Sequence, residues 1–156
     1  MNYIIRKIKK EEYKLLDDFL YEAIFIPEGI EPPPRNIIRQ PELQVYVSEF
    51  GKKDDLCLVA EAGGTVVGAV WTRIMDDYGH VDNETPSLAI SILKGYRGCG
   101  IGTALMTDIL ELLRENGYRK VSLSVQKENY AYKLYLKVGF TIAEEKEEEY
   151  IMICPL

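Results

Sequence analysis

Residues 87–116 read SLAISIL, KGYRGCGIG and TALMTDILELLREN, and they predict a strand, a glycine-rich turn and a helix in that order. The first part alternates larger and smaller side chains, as a strand with one buried face does. In the last part apolar side chains recur every three or four residues, which places them on one face of a helix. The turn contains Gly95, Gly98, Gly100 and Gly102. Amides of the first helical turn have no partner inside the helix, so this arrangement predicts a site for an anion.

The spacing of this turn excludes two common phosphate-binding motifs. A Walker A loop needs a lysine after its last glycine, but Thr103 follows Gly102 here. The dinucleotide motif G-x-G-x-x-G fails because its third glycine is misplaced. The spacing Arg97-x-x-Gly100-x-Gly102 instead resembles the acyl-CoA-binding motif of the GNAT superfamily of N-acetyltransferases. The alternative is a purely structural turn, which the entropic cost of so many glycines disfavours.

A second segment, residues 129–140, reads NYAYKLYLKVGF and resembles the second GNAT signature through its leading asparagine, its Leu-Tyr pair and its Gly-Phe end. The two motifs occur in the family's order, with one predicted helix and one predicted strand between them. They predict a single GNAT domain over residues 1–156, with a variable acceptor-side part at 1–55 and an acetyl-CoA-binding core at 56–156. The implied fold is α+β, with a mixed, mostly antiparallel central sheet that is flanked by helices and splayed between its fourth and fifth strands.

The resemblance implies where acetyl-CoA, the expected cosubstrate, would bind. In the family, the pantetheine arm fills the gap between the fourth and fifth strands as an added strand, and the glycine turn holds the pyrophosphate. The expected cofactor-binding residues are Ile90, Ile92, Leu93, Arg97, Gly98, Cys99, Gly100, Ile101, Gly102, Thr103, Asn129 and Tyr132.

The resemblance also implies direct transfer of an acetyl group to a primary amine of a small molecule or peptide. Tyr135 is the expected general acid for the departing thiolate, since its ordinary pKa of ~10 lies about 1.5 units above that of a thiol. Deprotonating an amine of pKa ~10.4 at pH 7 costs roughly 4–5 kcal/mol, so a base or a water chain is also needed. Glu84 lies just before the strand predicted at residues 87–93 and is the expected base, although it lies a residue or two before the family's usual position. Asp82 and His80 compete for this role.

The region before residue 56 matches the family only in the order of its elements, and it is expected to build the acceptor site. It predicts a strand at 2–8, a helix at 11–25 and a second helix at 41–50. Acidic side chains there would suit a cationic acceptor. The substrate-binding candidates are Glu28, Glu31 and Trp71, with Arg35 and Tyr46 as further suspects.

Composition restricts the class of function. Of 156 residues, 47% are apolar and 28% charged, and the net charge is -6, which is typical of a soluble globular domain and gives no basic surface for nucleic acid. No apolar run reaches the ~20 residues of a membrane helix, and the start lacks a signal-peptide pattern. Cys57, Cys99 and Cys154 lack metal-ligand spacing, so we expect a cytoplasmic protein without a metal. A homodimer through the sheet edge or the C-terminal strands is compatible with the sequence.

Two other functions share the same motifs. One is a non-catalytic CoA-binding sensor or regulatory domain, which the presence of Tyr135 disfavours only weakly. The other is a nucleotide-binding module, which the missing Walker lysine and missing acidic metal ligands disfavour. Acetyl transfer to an amine remains the leading prediction.

Overall fold

The computed structural model describes residues 2–156. The chain folds into one seven-stranded mixed sheet with helices on both faces. The strands are β1 (Ile4–Lys7), β2 (Leu56–Ala62), β3 (Thr65–Arg73), β4 (Ser87–Ile92), β5 (Lys120–Gln126), β6 (Thr141–Glu145) and β7 (Glu149–Pro155). The helices are α1 (Leu15–Ala23), α2 (Pro41–Gln44), α3 (Ile101–Glu115) and α4 (Ala131–Val138), with short 3-10 turns at Lys10–Glu12, Arg35–Arg39 and Lys94–Tyr96. The order across the sheet is β1-β2-β3-β4-β5-β7-β6. The predicted fold class is confirmed.

Strands β4 and β5 are the only parallel neighbours in this sheet of residues 2–156, and they pair at one position. Ser87 lies opposite Ser122, whose amide donates to the carbonyl of Pro86 at 3.0 Å. On its other edge β4 keeps a continuous antiparallel register with β3. Strand β5 therefore leaves β4 at the first residue of β4, which confirms the predicted splay.

The two faces of the sheet carry separate apolar cores. Helix α3 packs its buried leucines, isoleucines and methionine on one face, where α4 also contributes Tyr135. Helix α1, Ile38 and Val47 cover the other face, where Trp71 is central. Within residues 2–156 no helix has the length and apolar character that crossing a bilayer requires.

Two predicted helices are shorter than expected. The first begins with a separate 3-10 turn, in which the side chain of Glu12 accepts from the amide of Lys9 at 2.9 Å. The second ends at Gln44, where the β-branched and aromatic run Val-Tyr-Val at 45–47 weakens the helix. The buried guanidinium of Arg73 also donates to the carbonyls of Val45 and Ser48, at 3.1 and 2.9 Å, which draws them out of helical pairing. The chain after α2 is therefore free to present Tyr46 toward the gap beside β4.

Arg6 ties the first strand to its neighbours. Its terminal nitrogens donate to both carboxylate oxygens of Glu12 at 2.8 Å, and it also donates to Glu61 of β2 at 2.8 and 3.1 Å. These side chains are mostly buried, with 20% of Arg6 and 17% of Glu12 exposed. The bidentate hydrogen bonds lower the pKa of Glu12 to about 2.

We predict that Glu12→Gln lowers the free energy of unfolding at pH 7 by about 1–3 kcal/mol, because charge-assisted hydrogen bonds are lost. In the wild type the folded carboxyl binds its proton less tightly than the unfolded one. The stabilisation is therefore complete above about pH 4.5 and is lost as the pH falls toward about 2. Urea unfolding at pH 7 and pH 3 measures the wild-type advantage, which should shrink at pH 3. The control Glu11→Gln changes an exposed neighbour, and an equal loss in both variants would contradict the assignment.

Candidate functional site

The gap between β4 and β5 opens into a cavity of about 610 Å³. The end of α1 and the segment after α2 cover it on one side, and the turn between β6 and β7 reaches its mouth. The side chains of β4 and β5 form its walls, which are largely apolar. The lining includes Leu20, Phe25, Leu43, Tyr46, Tyr78, Leu88, Ala89, Ile90, Leu123, Ser124, Val125, Gln126, Asn129, Tyr135 and residues 146–149. We call this space the wedge cavity.

A second cavity of about 740 Å³ adjoins the wedge cavity. It extends past the end of α1 and the prolines at 32–33 to Arg97 and Gly102. Both cavities are lined by residues at the end of α1 and by Ile90, Asn129 and Tyr135, so they meet at these side chains. Together they form one channel, which runs from the glycine turn to the wedge cavity and has Tyr135 at its middle.

The glycine turn lies at one end of the channel, where Arg97 and Gly102 line it. Gly98 and Gly100 have φ of 75° and 85°, a left-handed conformation that favours glycine. No side chain caps the start of α3, so its first amides keep their free hydrogens. Arg97 is exposed, and its Nε donates to the carbonyl of Ile92 at 2.8 Å, which holds the guanidinium beside the turn. These groups suit a phosphate or pyrophosphate.

Tyr135 lies at the junction of the two cavities, on the buried side of α4. The residue is 8% exposed, and its ring packs against Phe140 with centroids 6.1 Å apart. Burial alone raises the pKa of Tyr135 to about 12, so the phenol stays protonated at neutral pH. The side-chain oxygen of Asn129 accepts from the amide of Ala131 at 2.9 Å at the start of α4, which leaves the amide nitrogen of Asn129 available to the channel.

The sequence also matches a known protein family. Residues 16–140 match the family model described as the acetyltransferase (GNAT) family. The chain belongs to this family.

Known relatives and structures agree with this membership. The N-alpha-acetyltransferase of Sulfurisphaera tokodaii is 30% identical over 127 residues, which cover 71% of this chain and 75% of that protein. The probable N-acetyltransferase san of Drosophila melanogaster is 33% identical over 134 residues, covering 78% and 72%. Two other relatives are longer, and the match spans about half of their length; a third match covers about half of both chains. The fold superposes on the PaiA N-acetyltransferase of Thermoplasma acidophilum, solved with coenzyme A, with a TM-score of 0.73 over all of both chains at 22% identity.

Within the GNAT fold, several predicted cofactor residues surround the channel. The structure brings Ile90, Ile92, Arg97, Gly102 and Asn129 together along its walls. The remaining residues of the glycine turn, Gly98 to Ile101 and Thr103, lie between or beside them in the chain. Leu93 packs with the core on the α1 face of the sheet, so only its backbone lies near the channel. Tyr132 faces away and packs on Tyr150 with centroids 6.0 Å apart, and it lines neither cavity.

Trp71 is not available as the acceptor contact that the sequence predicted. Its side chain has no exposed surface, and its Nε1 donates to the carbonyl of Tyr46 at 2.9 Å. It supports the segment that carries Tyr46. Glu28 and Glu31 are exposed and line neither cavity, although their neighbours Ile30 and Pro32 border the half of the channel next to the glycine turn.

Glu84 lies outside the channel, together with the two other candidate bases. It is exposed in the loop before β4, at the end where β4 and β5 are paired, while the wedge opens toward the other end. Its amide donates to Asp82, whose carboxylate lies 3.5 Å from Lys120. The Nδ1 of His80 is 2.8 Å from the carbonyl of Met75. None of the three lines either cavity, so none is placed to take a proton from an acceptor there.

Sequence reasoning missed two groups of residues on the wedge cavity. Tyr78 and Ser124 line it directly, and Asp77 lies behind Tyr46. The acidic segment 146–149 also lines the cavity, whereas a run of charged residues by itself predicts only a solvated turn. The signal for the first group was a strand-flanking loop with a carboxylate and a tyrosine, but nothing local shows that this loop meets the segment after α2.

We predict that the fluorescence of Trp71, the only tryptophan, is that of a fully buried indole. Its emission should be blue-shifted in the folded protein, and acrylamide should quench it only weakly. The same protein unfolded in urea is the control and should show strong quenching. Strong quenching of the folded protein, or quenching that an added amine relieves, would place Trp71 on the substrate surface instead.

Proposed function

We propose that this GNAT protein transfers an acetyl group from acetyl-CoA to a primary amine of a small molecule or a peptide by direct attack. The observation that carries the proposal is the position of Tyr135, where a channel from an anion-binding turn meets the wedge cavity. A thioester bound along the channel would present its reacting carbon at this junction. Names of relatives that acetylate the α-amino group of proteins support an amine acceptor.

The residues of the channel fit coenzyme A in three respects. The free amides of the glycine turn and Arg97 provide an anion site at one end. The edge of β4 that faces β5 has no partner strand beyond Ser87, and only the carbonyl of Ile92 at its far end is bonded, by Arg97, so amides of a pantetheine arm can add to it as a strand. Ser91 Oγ is buried on the channel wall without a hydrogen-bond partner among residues 2–156, and a polar ligand atom would satisfy it.

When bound, acetyl-CoA supplies the activated acetyl thioester, and the protein orients it and handles protons. Tyr135 would donate its phenolic proton to the departing thiolate. With the pKa of Tyr135 at about 12, donation to a thiol of ordinary pKa ~8.5 costs roughly 5 kcal/mol. The same burial would raise the pKa of the thiol in that position, which narrows the difference between the pKa values of Tyr135 and the thiol. Holding both reactants in line can contribute up to roughly 7–11 kcal/mol.

The mouth of the wedge cavity favours a cationic acceptor. The turn between β6 and β7 brings Glu147, Glu148 and Glu149 to the cavity, against a single lysine, Lys146. Lys146 lies 3.9 Å from Glu149, while Glu147 and Glu148 form no ion pair within residues 2–156. A protonated amine would be attracted to this rim before it enters.

We predict that Arg97→Glu weakens the binding of acetyl-CoA by about 10- to 100-fold, because a charge-assisted contact is replaced by repulsion. Isothermal titration calorimetry measures the dissociation constant. The control Lys137→Glu makes the same charge change on an exposed part of α4 that lines neither cavity, and it should bind like the wild type. Absence of binding to the wild type at millimolar acetyl-CoA would overturn the proposed function.

We predict that Tyr135→Phe lowers kcat by about 10²-fold or more while acetyl-CoA still binds, because the proton donor is lost. Release of free coenzyme A is followed with 1,4-diaminobutane, 2-phenylethylamine and a tetrapeptide with a free N-terminus. The control Tyr130→Phe removes a hydroxyl from an exposed tyrosine at the start of α4 that lines neither cavity, and its rate should match that of the wild type. Tight binding of acetyl-CoA without transfer to any amine would favour the non-catalytic sensor.

A further inference from the structure

A half-buried carboxylate, that of Asp77, lies behind the wall of the wedge cavity and beside Tyr46. Asp77 belongs to the loop between β3 and β4, and its Oδ1 accepts from the hydroxyl of Ser87 at 2.7 Å. The hydroxyl of Tyr46 faces both Asp77 and Ser124, and the side chains of Tyr46 and Ser124 line the cavity itself. Tyr46 thus lies between the cavity and the carboxylate.

Asp77 is partly buried and has no counter-ion in the part of the chain that the structure describes. No lysine, arginine or histidine within residues 2–156 forms an ion pair with it. Burial raises its pKa, although hydrogen bonds from Ser87, the amide of Gly79 and Tyr46 oppose the effect. Burial and the neighbouring carboxylate also raise the pKa of Tyr46. An anion in this position would gain from a nearby cation or from a proton.

We propose that Tyr46 and Asp77 form a proton relay that converts the acceptor ammonium into the free amine. This inference rests on the proposed function. An N–H bond of the ammonium breaks as its proton passes to the oxygen of Tyr46, and the O–H proton of Tyr46 passes to the carboxylate of Asp77. The ammonium becomes a neutral amine, Tyr46 remains a phenol, Asp77 becomes a carboxylic acid, and no electrons are exchanged. The proton leaves for solvent after the product departs.

The energetics of a half-buried site favour this transfer. In water at pH 7 an alkylamine is almost entirely protonated, so removing its proton is unfavourable. In the wedge cavity the reaction turns an ammonium and a carboxylate into two neutral groups, and apolar surroundings penalise the charged pair more than the neutral one. The raised pKa of Asp77 acts in the same direction, because a stronger base holds the proton more firmly.

The geometry selects Asp77 over the other carboxylates near the cavity. Glu84 and Asp82 belong to the same loop as Asp77, but neither lies beside Tyr46 and neither lines the cavity. Glu147 and Glu148 are exposed at the mouth, where they can attract a cation but share it with water. The other titratable groups beside Tyr46 and Asp77 are Tyr78, which is 51% exposed, and His80, which is bonded to the carbonyl of Met75.

The test uses two amines of the same shape and very different basicity. At about pH 7, 2-phenylethylamine is an ammonium, whereas its isostere O-benzylhydroxylamine is already neutral and needs no proton removed before attack. We expect Tyr46→Phe and Asp77→Asn to lower kcat/KM for 2-phenylethylamine by about 10²-fold or more. Their rates with O-benzylhydroxylamine should stay near that of the wild type.

The controls separate a relay from a structural role. Asp76→Asn changes the exposed neighbour of Asp77, and Tyr130→Phe removes a hydroxyl from an exposed tyrosine outside the channel; both should leave both rates unchanged. Asp77→Asn keeps an oxygen that can accept from Ser87, and Tyr46→Phe tests the relay independently if the first variant folds poorly. Acetyl-CoA binding by each variant verifies its fold.

Two outcomes would overturn the relay. One is an equal loss with both amines, or no loss with either, in the Tyr46 and Asp77 variants. The other is a wild type that acetylates only the neutral probe. Failure of the proposed function itself is distinguishable, because the wild type would then bind no acetyl-CoA or acetylate no amine at all.

Discussion

The single paired position between β4 and β5 is the constraint on which the site depends. Ser87 and Ser122 face each other there, and both are fully buried. Each serine also holds the loop before β4, since Ser87 donates to Asp77 and Ser122 donates to the carbonyl of Gly79 at 2.7 Å. A Cβ on Gly79 would lie 3.0 Å from the backbone of β5, so only glycine lets the loop pack this closely. The closed end of the wedge is thus rigid, and the open end is free to receive a ligand.

The same constraint places the groups that face the cavity. Because Asp77 is fixed behind the start of β4, its carboxylate lies within reach of Tyr46. Tyr46 is itself held by Trp71, whose Nε1 donates to the carbonyl of Tyr46. The splay that follows leaves one edge of β4 without a partner strand, and this edge leads to the glycine turn. Loss of the hydrogen bonds from Ser87 and Ser122 to the loop before β4 would therefore disturb the glycine-turn end of the channel as well as the wedge cavity, although the loop contacts only the wedge cavity.

Sequence patterns predicted the parts of the site that are local in the chain. The glycine turn, the start of α3 and the position of Tyr135 on α4 depend on spacing within about ten residues, and the structure places them as expected. The sequence did not show that Trp71 is fully buried or that Glu84 lies outside the channel, because the environment of each residue depends on contacts between distant segments. Alternation along β3 cannot show which face is covered by α1, and a glutamate before β4 cannot show which end of the wedge is open. The charge of the segment 146–149 is plain from its composition, but its reach to the cavity follows from the register of β6 on β7.

The distribution of charge along the channel gives its two ends different ligands. The glycine-turn end has free amides and Arg97 and no carboxylate on its wall except Glu22, so it attracts anions. The wedge end has the acidic turn at its mouth and Asp77 behind its wall, so it attracts cations. An anionic cofactor is repelled from the mouth that admits a cationic amine, and the amine gains little near Arg97. Under the proposed function, this polarity brings the two substrates in from opposite ends, so that they meet between two tyrosine hydroxyls, one placed to accept a proton and one to donate it.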